Sequence, residues 1–236
     1  MILHALAGSS REFVPTARAL PGRKVVLVDQ RGHGLSTRVP VDTSRSSFVG
    51  DAVRVIEAES NVPVDLVGHS MGAHTAMLAA ASRPDLVRRL VLLESDEGSG
   101  SQDDLVALGE YFRSWKIPFV SREDALASLG NGPLAQAWVA DMEEREDGLH
   151  PRFEPEVMIA TITAVAVPRW QEWESVTAPT LVIYAHGGMF TEEQKTRFVS
   201  RGRNATRMDL RGATHDAHLD AFHQWTRALI GFIGTR

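Results

Sequence analysis

The chain has 236 residues, of which 43% are hydrophobic and 23% are charged, and this suits one α/β domain with a substantial core. Its formal net charge of −5 gives no positive field to attract nucleic acid or an anionic membrane. The sequence contains no cysteine, which excludes disulfides, thiol nucleophiles and cysteine-ligated metals. No apolar run could cross a bilayer and the first residues do not resemble a signal peptide, so we expect a soluble, cytoplasmic protein.

Short β-branched runs alternate with amphipathic stretches in the first half of the chain, a pattern typical of a parallel sheet flanked by helices. The apolar runs predict strands at residues 2–6, 25–29, 64–68 and 90–94. The stretches between them predict helices at residues 11–20, 48–60 and 72–82. The expected fold is therefore α/β, with a doubly wound and mostly parallel sheet.

The strand pattern disappears from about residue 95 to residue 175. Helical patterns replace it at residues 103–115, 122–129, 134–142 and 155–166. Strands resume at residues 179–184 and 205–210, and a last amphipathic helix is predicted over residues 217–233. A helical insertion in such a chain is most simply a lid over the strand ends, where these sheets bind ligands. We predict a core of residues 1–95 and 176–236, with a helical lid at residues 96–175.

The segment Gly68-His69-Ser70-Met71-Gly72 lies where a predicted strand ends and a predicted helix begins. A serine on such a tight strand-to-helix turn is typical of a hydrolase nucleophile. The turn has no room for a side chain at Gly68 or Gly72, and it places the Ser70 hydroxyl at a helix N-terminus, where amides favour developing negative charge. A chance Gly-Ser-Gly turn is the alternative, which the flanking strand and helix disfavour.

His215 is the predicted catalytic base, because a serine hydroxyl needs a neighbouring base at neutral pH. It lies in the loop after the last predicted strand, and in a doubly wound sheet that loop is at the same edge as Ser70. His218 falls within the following helix and is interpreted as a surface or packing residue. The spacing His215-x-x-His218, with Asp216 or Asp220, also fits metal ligands, but no further ligand cluster supports a metal site.

The third catalytic group should be a carboxylate that orients His215. The loop after strand 179–184, the usual place in this architecture, has no carboxylate before Glu192. The strand before the lid ends at Glu94 and is followed by Asp96, also beside the histidine loop. A carboxylate that ends an apolar strand is costly unless it has a partner. We therefore predict Glu94 as the acid, Asp96 as the alternative and Glu192 as a distant third; Glu94 as a mere cap for the lid stays open.

With these residues in place, the chain resembles the α/β-hydrolase superfamily over nearly its whole length. The matching motifs are Leu3-His4, Asp29-Gln30-Arg31-Gly32-His33-Gly34-Leu35-Ser36, Gly68-His69-Ser70-Met71-Gly72, Ala178-Pro179-Thr180-Leu181-Val182 and Gly212-Ala213-Thr214-His215. The resemblance implies that the backbone N–H groups of Leu6 and Met71 form the oxyanion hole. A carboxylate ending the strand before the lid is similar to the arrangement in haloalkane dehalogenases and zearalenone-type lactonases, which supports Glu94. Serine rather than aspartate at the elbow favours acyl over alkyl chemistry.

Two features depart from the family pattern. Ala5 stands where members usually have glycine, and its methyl group would restrict the loop that presents the Leu6 amide. The two strands that usually precede the first one are missing, which would put strand 25–29 at the sheet edge. An exposed edge strand invites pairing, so we expect either further native residues before Met1 or a homodimer built on that edge.

The predicted activity is hydrolysis of a carboxylic ester or lactone of a small, largely apolar substrate, through Ser70, His215, Glu94 and an acyl-enzyme. No cofactor or metal is required. The alternatives on the same triad are C–C bond hydrolysis and perhydrolase activity, because the discriminating contacts lie in the lid. A non-catalytic small-molecule-binding pseudo-hydrolase is the alternative from another class.

Lid residues supply the predicted substrate contacts. The aromatic and aliphatic side chains of Trp115, Trp138 and Met158 suggest an apolar substrate. Packing within the lid's own helices is the alternative for each of them. His69 and His74 flank the elbow and are interpreted as structural or pocket-lining residues.

Overall fold

A computed structural model describes residues 1–234 of the chain. Its centre is a six-stranded parallel sheet with the strand order β2-β1-β3-β4-β7-β8. These strands are β1 (Ile2–Leu3), β2 (Leu27–Val28), β3 (Val64–His69), β4 (Val87–Leu93), β7 (Thr180–Gly187) and β8 (Ala205–Thr214). A separate antiparallel hairpin is formed by β5 (Glu143–Arg145) and β6 (Gly148–His150). The predicted α/β fold is confirmed, and β2 is the edge strand that the sequence predicted.

Helices cover both faces of the sheet. The α-helices are α1 (Val14–Arg18), α2 (Arg45–Glu59), α3 (Met71–Ser82), α4 (Gln102–Arg113), α5 (Arg122–Leu129), α6 (Pro133–Asp141), α7 (Pro155–Val165), α8 (Trp170–Ser175), α9 (Glu192–Arg201), α10 (Ala217–Asp220) and α11 (Phe222–Ile233). Within the described residues, none is long and apolar enough to cross a membrane. The predicted last helix is broken at Ala221, whose backbone leaves helical geometry at φ −121° and ψ 37°.

Alternating side chains of the central strands build two cores. Leu90 and Leu92 of β4 face the core formed with α2, α3, α8 and α9, whereas Val91 and Leu93 face the core formed with α11. Both pairs are fully buried, as expected for a parallel sheet covered on both sides. This packing fixes the ends of β3 and β4, from which the candidate site is built.

The segment between β4 and β7 has a core of its own. Phe112, Trp115, Phe119, Val139, Leu149 and Met158 are among the buried residues of this cluster, which joins α4 to α7 and the β5–β6 hairpin. Helix α8 packs elsewhere, because the Trp173 ring stacks on Phe198 with 4.3 Å between centroids and belongs to the sheet's core. The sequence predicted the four helices of this segment but neither the hairpin nor α8.

Candidate active site

Ser70 lies between β3 and α3 with φ 51° and ψ −116°, a left-handed conformation that is rare for a residue with a side chain. Its backbone N–H donates to the Leu93 carbonyl at 2.9 Å. The two glycines make this turn possible. A β-carbon on Gly68 would lie 2.3 Å from the Gly72 carbonyl oxygen, and one on Gly72 would lie 2.4 Å from the His4 carbonyl oxygen. The turn therefore requires glycine at both positions.

Glu94 and His215 are in contact across the carboxyl end of the sheet. The distance from His215 Nδ1 to Glu94 Oε2 is 3.2 Å. The Glu94 side chain is completely buried, whereas that of His215 is 23% exposed. A buried carboxylate facing Nδ1 selects the tautomer with the proton on that nitrogen, which leaves Nε2 as the basic atom.

The Glu94 carboxylate is held by two backbone amides, one near the end of β7 and one in the loop after it. Oε1 accepts from the Ala185 N–H at 2.7 Å, and Oε2 accepts from the Met189 N–H at 3.0 Å. A β-carbon on Gly188 would lie 2.3 Å from both carboxylate oxygens, so the backbone comes this close only because residue 188 is glycine. Glu94 itself has φ 49°, a second left-handed residue at the end of a central strand. These bonds satisfy a charge that would otherwise be costly to bury.

The other two candidate acids are engaged elsewhere. The Asp96 carboxylate accepts from the Gly98 N–H at 2.9 Å and from the Ser99 N–H at 3.1 Å, which closes its own turn. Glu192 pairs with Arg207, whose Nη2 donates to Oε2 at 2.8 Å. Of the three carboxylates weighed from the sequence, Glu94 is the one that contacts His215.

The predicted oxyanion-hole residues lie beside the elbow. Met71 is the first residue of α3, so its N–H has no acceptor within the helix. Leu6 packs against the small apolar cluster that contains Met71, Phe48 and Val165.

His4 and Gln30 hold the loop that carries Leu6. His4 Nε2 accepts from the Gln30 N–H at 3.0 Å, so Nδ1 carries the proton and donates to the Ala5 carbonyl at 2.7 Å. Burial is the main cause of a lowered pKa for His4, which keeps this ring neutral. Ala5 is not among the residues with positive φ; the left-handed position in the loop is Ala7, with φ 57°. The methyl group of Ala5 is therefore accommodated without backbone strain.

A cavity of about 450 Å³ adjoins Ser70, His215 and Glu94. Its apolar lining is supplied mainly by α4, α7 and the loop after β7, through Leu105, Leu108, Ile162, Val165, Met189 and Phe190. Polar lining groups include His74, Ser99 and Gln194. Among the described residues that line this cavity there is no lysine or arginine.

The predicted substrate contacts Trp115, Trp138 and Met158 are not among the residues that line this cavity. Met158 is fully buried, and the rings of Trp115 and Trp138 lie 5.2 Å apart in the aromatic cluster of the helical segment. Their large apolar surfaces are buried against one another and hold this segment together. These three side chains therefore pack within the helical segment itself, which was the alternative to a substrate contact.

The residues of α4 and α7 that line the cavity were not singled out from the sequence. Leu105 and Leu108 lie on α4 and Ile162 lies on α7. Helical patterns do predict these helices, but which face of each turns toward Ser70 depends on how the segment packs as a whole. The hydrogen bonds from backbone amides near Gly188 to Glu94 could not be predicted from the sequence, which shows only two adjacent glycines there.

Two buried histidines, His69 and His218, lie behind His215. His69 Nε2 donates to the His215 carbonyl at 2.9 Å, and burial, followed by the neighbouring histidines, lowers the His69 pKa well below its ordinary value. His218 Nε2 is 3.4 Å from Glu12 Oε2. Potential ligand atoms of His69, Asp216 and His218 lie within 4.8 Å of one another, and this is the group in the described residues that could hold a metal ion. The metal-ligand spacing in the sequence was His215-x-x-His218, but His215 Nδ1 faces Glu94 instead.

Comparison with known proteins identifies the family. Residues 1–222 match the model of the alpha/beta hydrolase fold family. The chain belongs to this family. A curated relative named 2-(acetamidomethylene)succinate hydrolase, from Mesorhizobium japonicum, is 28% identical over 203 residues, which cover 78% of this chain and 68% of the relative. The family and its hydrolase-named relatives support a hydrolase.

A second relative is similar over a shorter segment. The mouse protein named sn-1-specific diacylglycerol lipase ABHD11 (Mus musculus) is 43% identical over 97 residues, or 40% of this chain. The match spans only 31% of the mouse protein.

Solved structures agree with the fold. A crystal structure of E-2-(acetamidomethylene)succinate hydrolase has a TM-score of 0.90 at 22% identity, covering 98% of this chain and 90% of the other. A marine microorganism esterase has a TM-score of 0.82 at 23% identity, covering 98% of this chain and 93% of the other. At such identities the likeness concerns the fold alone.

Proposed function

We propose that this α/β hydrolase cleaves a carboxylic ester or lactone of a small, largely apolar substrate through Ser70, His215 and Glu94. The observation that carries the proposal is the contact between buried Glu94 and His215 Nδ1, at 3.2 Å, beside a cavity that Ser70 also lines. A nucleophile, a base and an orienting acid in this order are the groups that acyl transfer requires.

The reaction proceeds in two steps. His215 Nε2 takes the proton as Ser70 Oγ attacks the carbonyl carbon, and the Leu6 and Met71 amides stabilise the oxyanion. The tetrahedral intermediate collapses, and His215 returns the proton to the leaving alcohol. Water then attacks the acyl-enzyme with the same base, which releases the acid and restores Ser70. Glu94 holds the ring in place and stabilises its cation throughout.

The cavity supports an uncharged substrate. Its wall is mainly apolar, and the carboxylates of Asp96 and Asp104 are among its polar groups. A succinate such as the one in the name of the Mesorhizobium relative carries two negative charges, for which the described lining residues offer no cationic side chain. The lipase name of the mouse relative is compatible with an apolar acyl chain.

Hydrolysis of p-nitrophenyl acetate, butanoate and hexanoate by the wild type and by Ser70→Ala, Glu94→Gln and Asp96→Asn tests the proposal. We expect wild-type turnover, no turnover above background in Ser70→Ala, a large loss in Glu94→Gln and little change in Asp96→Asn. Turnover that survives Ser70→Ala contradicts the mechanism.

Labelling of Ser70 by an activated phosphonate separates the remaining alternatives. Labelling without ester turnover supports C–C bond hydrolysis or another acyl substrate on the same triad. Absence of both labelling and turnover supports a small-molecule-binding protein without catalysis.

A further inference from the structure

His74 is a buried polar residue at the active-site cavity. It lies on α3, and its N–H donates to the Ser70 carbonyl at 3.0 Å, so His74 is one helical turn, about 6 Å along the axis, from the nucleophile. The residue is only 2% exposed, and it lines the same cavity as Ser70. The proposed acyl-transfer mechanism gives it no role.

Neither ring nitrogen of His74 has a hydrogen-bond partner among the described residues. The Glu97 carbonyl, which also accepts from the Arg169 N–H at 2.7 Å, is near enough to oppose the lowering of the His74 pKa, but no hydrogen bond joins it to the ring. Gly98 lets the backbone pass close to the ring, since a β-carbon there would lie 3.0 Å from Nε2. Buried polar groups in proteins are rarely left unpaired unless a ligand or water completes them.

The ring is neutral under ordinary conditions. Burial, followed by the positive charges of Arg45 and Arg169, lowers the His74 pKa to about 3. A neutral imidazole offers one N–H donor and one lone pair. The two guanidinium groups also create a positive potential at the ring, and Arg45 is itself 4% exposed with Nε and Nη1 unpaired. Such a potential favours a substrate oxygen at this wall over a methylene group.

We propose that His74 forms an acyl subsite that selects acyl groups carrying a carbonyl or hydroxyl oxygen about four bonds from the scissile carbonyl carbon. The inference rests on the proposed function, and it narrows the substrate class to oxo- or hydroxyacyl esters and lactones. The rest of the chain would lie against the apolar wall formed by Leu108, Ile162 and Val165. A buried polar group left unpaired by an all-carbon chain discriminates more strongly than an apolar pocket does.

Paired esters test the subsite. The substrates are p-nitrophenyl 4-oxopentanoate and pentanoate, and p-nitrophenyl 5-oxohexanoate and hexanoate, with wild type, His74→Leu and His74→Gln. We expect the wild type to favour one of the oxo esters over its alkyl partner at least tenfold in kcat/KM. His74→Leu should lower that ratio about tenfold or more, and His74→Gln, which keeps a donor and an acceptor, should restore part of it. His223→Leu, at an exposed position, is the matched control and should keep the wild-type ratio.

Equal loss on both members of a pair, together with a lower Tm in His74→Leu, would show that His74 only supports the structure and would overturn the subsite. If the wild type cleaves no ester and Ser70 is not labelled, the proposed hydrolase activity fails separately. Titration calorimetry of the uncharged methyl 4-oxopentanoate and methyl pentanoate against wild type and His74→Leu then decides the subsite. Preferential binding of the oxo ester that is lost in His74→Leu supports it, and equal or absent binding overturns it.

Discussion

Glu94 combines a buried negative charge with three hydrogen-bond donors: two backbone amides and His215. Glu94→Gln keeps the size of the side chain but replaces one acceptor oxygen by an NH₂ group that faces N–H donors. We expect kcat to fall about 10³- to 10⁴-fold, because the wrong histidine tautomer is favoured and the imidazolium loses its counter-charge.

Single-turnover and steady-state ester kinetics check this loss, with circular dichroism to confirm folding. Asp96→Asn is the matched control, since Asp96 caps its own turn rather than His215. A Glu94→Gln protein with nearly wild-type kcat would exclude Glu94 as the acid.

Residues whose placement is set locally could be predicted from the sequence. The elbow glycines, Ser70 and His215 lie at fixed offsets from strand ends. A carboxylate at the end of an apolar strand also stands out in the sequence, because burying its charge without a partner is unfavourable. The assignment of Trp115 as a substrate contact had no such basis. An aromatic side chain in a helix has the same pattern whether it faces a ligand or the helix's own core.

The loop after β7 acts on the site through its backbone. Gly188 approaches the Glu94 carboxylate so closely that a β-carbon would lie 2.3 Å from both oxygens. Gly188→Ala must therefore displace either the loop or the carboxylate, and we expect at least a tenfold loss in kcat/KM with a small change in Tm. Gly132→Ala is the control, because nothing lies within 4 Å of its added β-carbon. Unchanged ester kinetics in Gly188→Ala would show that this approach does not matter.

The junction of β1 and α3 is a second element-scale constraint. A β-carbon on Gly72 would meet backbone atoms of Leu3 and His4 at 2.4–2.7 Å, and backbone cannot move aside as a side chain can. We expect Gly72→Ala to destabilise the fold by about 1–3 kcal/mol or more. Urea unfolding measures the effect. Gly231→Ala on α11 has open space around its added β-carbon and should instead stabilise the fold by up to about 1 kcal/mol, because alanine is the better helix former. Equal stability of the two variants would contradict the close packing of α3 on the sheet.

Element boundaries show what the sequence could and could not predict. Strand β3 and helix α3 were predicted to within a residue or two, because both are bounded by the elbow. The β5–β6 hairpin was missed because its residues Glu143 to His150 are mostly polar and give no alternating pattern. It forms where the backbone of Phe119 pairs with Leu149, a contact between distant parts of the chain.

At the scale of the whole molecule, buried neutral histidines couple stability to pH. Burial is the main cause that lowers the pKa of His33 and of His74 to about 3 from an ordinary value of 6.5. Below pH 6.5, these histidines therefore bind protons in the unfolded chain but stay neutral in the folded chain. This contribution to stability is complete above pH 6.5 and is lost as the pH falls from 6.5 toward 3.

We expect the free energy of unfolding to fall between pH 6.5 and 4.5, with each such histidine contributing up to about 1.4 kcal/mol per pH unit. Urea unfolding of wild type and His33→Gln at several pH values measures the slope, which should be shallower in the variant. His223→Gln, at an exposed position, should keep the wild-type slope. Identical slopes for wild type and His33→Gln would contradict a neutral buried His33.

The parallel direction of the strands could be predicted from the sequence, because helical connections separate most strands from the next. The edge position of β2 was predicted from the family resemblance, because the two strands that usually precede the first one are missing. The arrangement of α4 to α7 over the strand ends did not, since helix-on-helix packing has many solutions for one hydrophobic pattern.

The location of the acid on β4 has a consequence for how this site can diversify. Because Glu94 directly follows β4, the end of β7 and the loop after it contribute only main-chain amides to the charge network. Its side chains at Met189 and Phe190 line the cavity without holding the catalytic groups. A directed library that randomises these two positions and keeps Gly188 should therefore change the substrate range. The catalytic groups and the reaction they carry out stay the same.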